Sequence, residues 1–183
     1  MIRVLVLFFL IWSLQPLAFA CSTKTLSGTD LRTGQGVSVN LKESSKGTVV
    51  LFLSAVCPCS KSHEKGLGVL AQEFPQFKFV GVHSNADEKS EMAKRHFQKA
   101  GFSFPVIQDE NAKIAEEFRA LKTPHAFIVG AKGECWFNGG VDNSNDSSQA
   151  TQHYLRAALM DLQQGNEPKE KQVRTLGCII RRQ

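Results

Sequence analysis

The sequence predicts an α/β fold, in which a central mixed sheet has parallel core strands, an antiparallel hairpin and helices on both faces. Three observations predict it. Short apolar runs alternate with segments whose apolar residues recur every three or four positions, and such alternation favours parallel strands joined by helices. Two later strands flank the turn residues 130–133, which is typical of a hairpin. The length of 183 residues, with 42% hydrophobic and 21% charged residues, suits one globular domain.

The first half of the chain contains two predicted strand–helix units. Residues 37–41 alternate between apolar and polar side chains, which predicts a half-exposed strand, whereas residues 48–53 form a continuous apolar run. The apolar residues of 67–74 have helical spacing, and Pro75 ends that helix. Residues 77–82 predict the next strand. The continuous run at 48–53 therefore marks the buried centre of the predicted sheet.

The second half continues the alternation and adds the hairpin. Gly101 ends the first helix of this half, because glycine is favoured just beyond a helix C-terminus. In chain order, the predicted elements are a helix at 92–100, a strand at 104–107, a helix at 114–118, strands at 125–129 and 135–137, and a helix at 154–162.

The beginning of the chain has the layout of a secretory signal peptide. Arg3 precedes an apolar run at residues 4–12, and small residues stand at the end of the segment. The run is shorter than the stretch of about 20 apolar residues that a transmembrane helix needs, which favours a cleaved signal, with an uncleaved membrane anchor as the alternative. The sequence therefore predicts export to the periplasm or an equivalent compartment. Residues 1–20 are the predicted signal peptide, residues 21–164 the domain, and residues 165–183 a tail that can pack back on it.

Two features bear on partners. Cys21 follows the signal segment and resembles a bacterial lipoprotein site, although Leu17 stands one position too early, so membrane attachment through a lipid on Cys21 stays open. The net charge is +5, from 22 Lys and Arg against 17 Asp and Glu, but the two signs are interspersed. Because no basic stripe alternates with aromatic residues, no nucleic-acid partner is predicted. The sequence makes no prediction of an oligomeric state.

The strongest chemical signal is Cys57-Pro58-Cys59, where the buried strand gives way to a helix. Unpaired N–H groups and the helix dipole stabilise an anion at a helix N-terminus. We therefore expect the pKa of the Cys57 thiol to be lowered and its thiolate to act as a nucleophile. Disulfides persist outside the cytoplasm, so the predicted export is compatible with this chemistry.

Two motifs together resemble the thioredoxin-like superfamily, in its redoxin branch of peroxiredoxin-like and thiol-disulfide exchange proteins. FLSAVCPCSK at residues 52–61 is similar to the strand, cysteine and helix of that family, and Thr123-Pro124 is similar to its Thr-Pro-x-x-Phe segment. The resemblance covers about residues 37–164. It implies a thioredoxin-like fold and a cis peptide bond at Pro124, which would lie beside Cys57.

The same resemblance implies an activity and a set of site residues. The implied activity is that of a thiol-disulfide oxidoreductase, with a protein or a small-molecule disulfide or thiol as partner and no organic cofactor or resident metal. The backbone around Thr123 would dock the extended chain of a disulfide substrate. The predicted substrate-binding residues are Ser54, Pro58, Thr123 and Pro124, and the predicted catalytic residues are Cys57, Cys59 and Cys178.

The cysteine spacing departs from the family's pattern. A dithiol thioredoxin has C-x-x-C, but here Ser60 occupies the fourth place and Cys59 comes one residue early. A C-x-C disulfide closes a very small ring, which makes it readily reduced. The resolving thiol is therefore either Cys59 or Cys178, whose surroundings resemble a Gly-Cys-x-Ile ending of some redoxin-like proteins. A structural disulfide between Cys178 and Cys135 is an equally open alternative.

Other functions also remain open at this stage. A peroxiredoxin-like peroxidase would use Ser54, three residues before Cys57, and Arg119, although Val50 stands where that signature has proline. A Cu(I) site would combine Cys57 and Cys59 with His125, because thiolates and imidazole suit soft metals. With Ser60 in the place of a cysteine, a non-catalytic partner-binding domain is the third alternative.

The remaining histidines show no ligand spacing. We expect each to be a surface or helix residue, and they are His63, His83, His96 and His153.

Overall fold

The structure is a computed structural model that describes residue 21, residues 25–44 and residues 46–182. The predicted signal segment lies outside the described residues. Within them the chain forms nine strands and four α-helices. In chain order these are β1 Thr25–Thr29, β2 Gly36–Asn40, β3 Thr48–Leu53, α1 Pro58–Glu73, β4 Lys78–His83, α2 Ser90–Lys99, β5 Val106–Gln108, α3 Lys113–Phe118, β6 Lys122–Thr123, β7 His125–Val129, β8 Cys135–Gly139, α4 Tyr154–Gln163 and β9 Cys178–Ile179.

The main sheet has five strands in the order β5-β4-β3-β7-β8. Strand β4 pairs in parallel with both β3 and β5, whereas β7 pairs antiparallel with β3 and with β8. This arrangement confirms the predicted mixed sheet with parallel core strands and an antiparallel hairpin. Among the described residues, no helix is both long enough and apolar enough to cross a membrane.

Strand β3 is buried on both faces, which explains its unbroken apolar sequence. Val49, Leu51 and Leu53 pack in one hydrophobic cluster with residues of α1, α2 and α4. Val50 and Phe52 point to the opposite face and pack in a second cluster with residues of α3 and of the β1–β2 hairpin. Side chains alternate between the two faces along a strand, so a central strand needs apolar residues at every position.

Strand β1 was not predicted from the sequence. It pairs antiparallel with β2 in a separate two-stranded sheet, from Thr25 opposite Asn40 to Thr29 opposite Gly36. Its sequence, TLSGT, has one buried residue, Leu26, and therefore no apolar periodicity. Its strand conformation is stabilised by pairing with β2. Such pairing cannot be recognised from the periodicity of apolar residues.

The C-terminal tail packs back across the domain. Val173 and Lys171 exchange backbone hydrogen bonds with Asn138 of β8, at 3.1 and 2.9 Å. Further along, β9 pairs antiparallel with β6, and the buried Ile180 donates its N–H to the Leu121 carbonyl at 2.9 Å. These contacts bring Cys178 opposite Thr123.

Candidate active site

Cys57 stands at the junction between β3 and α1. It is the N-cap residue of α1, with extended backbone angles of φ −63° and ψ 119°, and Pro58 begins the helix. Proline is favoured there because its missing N–H is one that the helix would leave unpaired. Cys57 therefore lies at the positive end of the dipole of a 16-residue helix, a place that stabilises a thiolate.

Cys57 is bonded to Cys178, with 6.0 Å between their Cα atoms. Of the two partners that the sequence left open, the structure pairs Cys57 with Cys178, and Cys59 is a free, half-buried thiol. The alternative disulfide between Cys178 and Cys135 is wrong, because Cys135 is bonded to Cys21. The two cysteines of this disulfide differ in exposure to solvent: Cys57 is 2% exposed, whereas Cys178 is half-buried.

The Thr123–Pro124 segment lies against this disulfide. Its peptide bond is cis, as the family resemblance implies. The Thr123 carbonyl oxygen is 3.3 Å from Cys57 Sγ, and Thr123 is fully buried. Gly177 crosses the same carbonyl so closely that a Cβ at that position would overlap it. A glycine before Cys178 therefore allows the tail to reach Cys57.

Ser54 organises the loop between β3 and Cys57. Its hydroxyl accepts the Cys57 N–H at 2.9 Å and the Val56 N–H at 3.2 Å, and it donates to Glu88 Oε1 at 2.5 Å. Ser54 is fully buried, so in this conformation it positions the cysteine loop and does not reach a substrate. Its proton is directed to Glu88, whereas a peroxidase would direct it to the peroxide.

A buried carboxylate, Glu88, lies at the centre of this network. It accepts the Ala55 N–H at 2.8 Å, His83 Nε2 donates to it at 3.0 Å, and the Asn85 amide also donates to it. Burial alone raises the pKa of Glu88, but the hydrogen bonds from His83, Ser54 and Asn85 and the charge of His83 outweigh it and lower the pKa. An anionic Glu88 thus holds the loop that presents Cys57.

Ser60 also contributes to this loop. The buried Ser60 hydroxyl accepts the Ser54 N–H at 3.0 Å. The position that holds the second cysteine in C-x-x-C proteins is therefore occupied here by a residue that stabilises the turn.

His125 lies two residues beyond Thr123 and is buried. Its Nε2 donates to the Asn138 side-chain oxygen at 2.7 Å, and its Nδ1 has no hydrogen-bond partner among the described residues. Burial lowers the pKa of His125 to about 4, against a smaller opposing effect of the Asn138 hydrogen bond. The imidazole is therefore neutral at neutral pH.

The predicted copper set of Cys57, Cys59 and His125 is not assembled. Among the described residues, the sulfur atoms of Cys57, Cys59 and Cys178 are the group that lies within mutual reach of one metal ion, all within 4.8 Å of one another. The Nε2 of His125 is instead engaged by Asn138, at 2.7 Å.

Comparisons with known proteins bear on the fold that holds this site. A family model described as thioredoxin-like matches residues 45–135. The structure is similar to that of an uncharacterized conserved protein from Geobacillus kaustophilus, with 28% identity, a TM-score of 0.78, and coverage of 91% of this chain and 92% of the other. The chain has a thioredoxin-like fold.

Two other solved structures resemble this thioredoxin-like protein. A hypothetical protein from Sinorhizobium meliloti is 20% identical with a TM-score of 0.79, and the match covers 92% of this chain and 97% of the other. A secreted disulfide oxidoreductase from Mycobacterium tuberculosis is 20% identical with a TM-score of 0.50, over 60% of this chain and 79% of the other. No curated protein gives a significant match.

The site of this thioredoxin-like protein contains two residues that sequence reasoning missed, Glu88 and His83. Glu88 belongs to the polar stretch 84–91, where nothing in the sequence separates it from the exposed Glu91. The expectation that His83 is a surface or helix residue is wrong, because it is fully buried at the end of β4 and bonded to Glu88. A signal was available in the sequence: His83 ends a predicted strand that runs parallel to the strand leading to Cys57, and the carboxyl ends of parallel strands meet at one edge of a sheet.

Arg119, the arginine considered for a peroxidase, is exposed and follows the last residue of α3. Pro58 is also exposed, and it borders the disulfide at the start of α1, whereas Pro124 is buried beneath the tail. The predicted site residues therefore divide by exposure: Pro58 is exposed, Cys59 and Cys178 are half-buried, and the buried ones are Ser54, Cys57, Thr123 and Pro124.

Proposed function

We propose that this protein is an exported thiol-disulfide oxidoreductase in which Cys57 and Cys178 form the redox pair. The observation that carries the proposal is the disulfide between the N-cap of α1 and the tail, placed against the cis Thr123–Pro124 bond. The similar protein from Mycobacterium tuberculosis is described as a secreted disulfide oxidoreductase. The position of the disulfide supports a redox role, because a purely structural disulfide does not need a helix N-terminus. The likeness to an oxidoreductase supports the same role.

In the reduced protein, the Cys57 thiolate attacks a substrate disulfide. A bond forms between Cys57 Sγ and one substrate sulfur, and the other substrate sulfur leaves as a thiolate. The Cys178 thiolate then attacks Cys57 Sγ, forms the Cys57–Cys178 disulfide and releases the second substrate thiolate. The substrate gains two electrons, and the protein loses two.

In the oxidised protein, Cys178 is the more accessible of the two cysteines, which favours attack on its sulfur when the disulfide is reduced again. Cys57 is buried, whereas Cys178 is half-buried at the surface of the tail. An incoming donor thiolate therefore attacks Cys178 Sγ, and Cys57 leaves as a thiolate. The helix N-terminus stabilises that leaving group, because it favours the anion. A second donor thiol then releases Cys178.

The remaining site residues act on the cysteines and the substrate in different ways. Ser54 and Glu88 hold the Cys57 loop. The backbone at Thr123 and Pro124 is the surface that the tail occupies in the oxidised form, and an extended substrate chain would replace the tail there. Exposed Pro58 borders the approach to the sulfur atoms.

Export is part of the proposal, and the second disulfide bears on it. Residues 1–20 have the composition of a secretory signal, and disulfides are stable outside the cytoplasm. Cys21 is bonded to Cys135 through the same sulfur atom that a lipoprotein lipid would occupy. A chain with this disulfide therefore has no lipid on Cys21, and membrane attachment by that route requires a free Cys135.

A trapping experiment tests the assignment. The Cys178→Ser variant is mixed in its reduced form with an oxidised peptide that carries a fluorescent label. Because the resolving thiol is gone, we expect a stable mixed disulfide on Cys57, located by peptide mass mapping, whereas the wild type releases the peptide. The matched variant is Cys59→Ser. Accumulation of the mixed disulfide in Cys59→Ser, with release by Cys178→Ser, would show that Cys59 resolves it and would overturn the pair.

A further inference from the structure

We propose that the reduced protein binds one Cu(I) ion through Cys57, Cys59 and Cys178. Their three sulfur atoms lie within 4.8 Å of one another on two separate segments of the chain. Three sulfurs that share an ion at about 2.3 Å each stand about 4 Å apart, so small side-chain rotations are sufficient to bring them to an ion. Thiol-disulfide exchange uses two of these thiols and leaves Cys59 unexplained.

Contacts other than the disulfide hold Cys178 near the helix when the cysteines are reduced. On one side of Cys178, Val173 donates its N–H to the Asn138 carbonyl at 3.1 Å. On the other side, Ile180 is buried, and the Arg181 carbonyl accepts the Ala86 N–H at 2.9 Å. Arg182 donates to the carbonyls of the α3 end, including that of Ala120. The tail is thus anchored on both sides without the covalent bond.

The ligand set selects the metal. The cluster consists of three sulfurs, and among the described residues no imidazole or carboxylate belongs to it. Zn²⁺ in structural sites takes four ligands in a tetrahedron, whereas soft thiolates suit Cu(I). Cys57 caps α1 and Cys59 lies in its first turn, where the helix dipole favours the negative charge that thiolates bring. Half-buried Cys59 and Cys178 leave a route for the ion.

Copper binds after the disulfide has been reduced, and electrons and protons balance in each of the two steps. A dithiol reductant gives two electrons and two protons to the Cys57–Cys178 disulfide and becomes a disulfide itself. Cu(I) then replaces the protons of three thiols, three protons are released, and the copper keeps its oxidation state. The reductant is therefore consumed in the first step only, and no electron passes to or from the metal.

A competition titration tests the site. The full protein is reduced with a phosphine, desalted without oxygen and titrated with Cu(I) against bicinchoninate, whose Cu(I) complex is coloured. We expect the wild type to withhold one equivalent of copper, with a shell of three sulfurs in X-ray absorption. Cys59→Ser and Cys178→Ser should each bind at least about tenfold more weakly, which corresponds to about 1.4 kcal/mol, and each should show two sulfurs.

Two controls separate this cluster from other thiols. The double variant Cys21→Ser/Cys135→Ser removes the other two sulfurs and should bind copper as the wild type does. The oxidised wild type lacks two of the three ligands and should withhold none. Wild-type affinity in Cys59→Ser, loss of copper in the double variant, or displacement of copper by an equal amount of Zn²⁺ would overturn the proposal. None of these readouts depends on disulfide exchange activity, so the two proposals fail independently.

Discussion

The two disulfides span similar lengths of chain and differ in their surroundings. Cys21–Cys135 joins residues 114 positions apart, and Cys57–Cys178 joins residues 121 positions apart. In the chain-entropy model, either loop closure is worth roughly 5 kcal/mol, so the spacing alone gives them equal stabilising roles. Cys21 is buried in a hydrophobic cluster that Cys135 packs against, whereas Cys57 caps a helix beside a third thiol and a carbonyl.

This difference shows that the environment of a disulfide, rather than the length of its loop, separates a structural pair from a redox pair. A thiolate released from the first disulfide would be left next to apolar side chains, which disfavour an anion. A thiolate released at Cys57 is stabilised by the helix N-terminus.

The largest effect is expected from the nucleophile. Cys57→Ser removes the attacking sulfur, and we expect the rate of reduction of a labelled disulfide peptide to fall about a thousandfold or more, because the thiols that remain at the site, Cys59 and Cys178, do not cap the helix. The matched double variant Cys21→Ser/Cys135→Ser should retain the wild-type rate within about threefold, at a temperature where circular dichroism shows it folded. Equal losses in both variants would remove the functional distinction between the disulfides.

The next effect concerns the tail. Gly177→Ala places a Cβ against the Thr123 carbonyl and requires a side chain at φ +128°, which L-residues rarely adopt. We expect β9 to detach and the Cys57–Cys178 disulfide to form in less than about half of the molecules, as counted by thiol alkylation and mass spectrometry.

The control for this substitution is Gly66→Ala. Gly66 is an exposed residue of α1, and a Cβ there meets no atom within 4 Å. This variant should form both disulfides fully and gain up to about 1 kcal/mol of helix stability. Intact Cys57–Cys178 in Gly177→Ala would contradict the role assigned to the glycine.

The third effect concerns pH and the buried imidazole of His125. Because burial lowers the pKa of His125 from 6.5 to about 4, unfolding takes up a proton between these values. The free energy of unfolding should therefore fall as the pH falls from 6.5 to 4, by up to about 3 kcal/mol from this residue. His125→Gln keeps a donor for Asn138 and should flatten that slope in urea titrations. His153→Gln removes an exposed imidazole instead, and an equally flat slope there would rule out His125 as the source.

The smallest effect is expected in the order of reduction. Stabilisation of the Cys57 thiolate by the helix favours the reduced form, so Cys57–Cys178 should open first as the ratio of reduced to oxidised glutathione rises. Cys21–Cys135 should open at a more reducing ratio. Alkylation with two isotopic labels, followed by mass spectrometry, measures both transitions in one sample. Opening in the reverse order would reverse the roles of the two disulfides.

Sequence reasoning succeeded where the signal is local. The run at 48–53 has the composition of a doubly buried strand, and the structure places β3 there at the centre of the sheet. It failed for β1 and for the pairing of β6 with β9, because each of the last two has only two residues and leaves no period to detect. Glu88 was missed for a related reason, since its burial depends on Ser54 and His83, which are distant in sequence.

By itself, the sequence determined the alternation of strands and helices and the position of Cys57 at a strand–helix junction. Hydrophobic periodicity and helix start signals act within a few residues, so they can be read along the chain. Only the tertiary structure decided that Cys178 pairs with Cys57 and that Cys21 pairs with Cys135. Those choices depend on which distant parts of the chain are brought together, here a tail that folds back over Thr123 and Cys21, which lies next to Cys135 of β8.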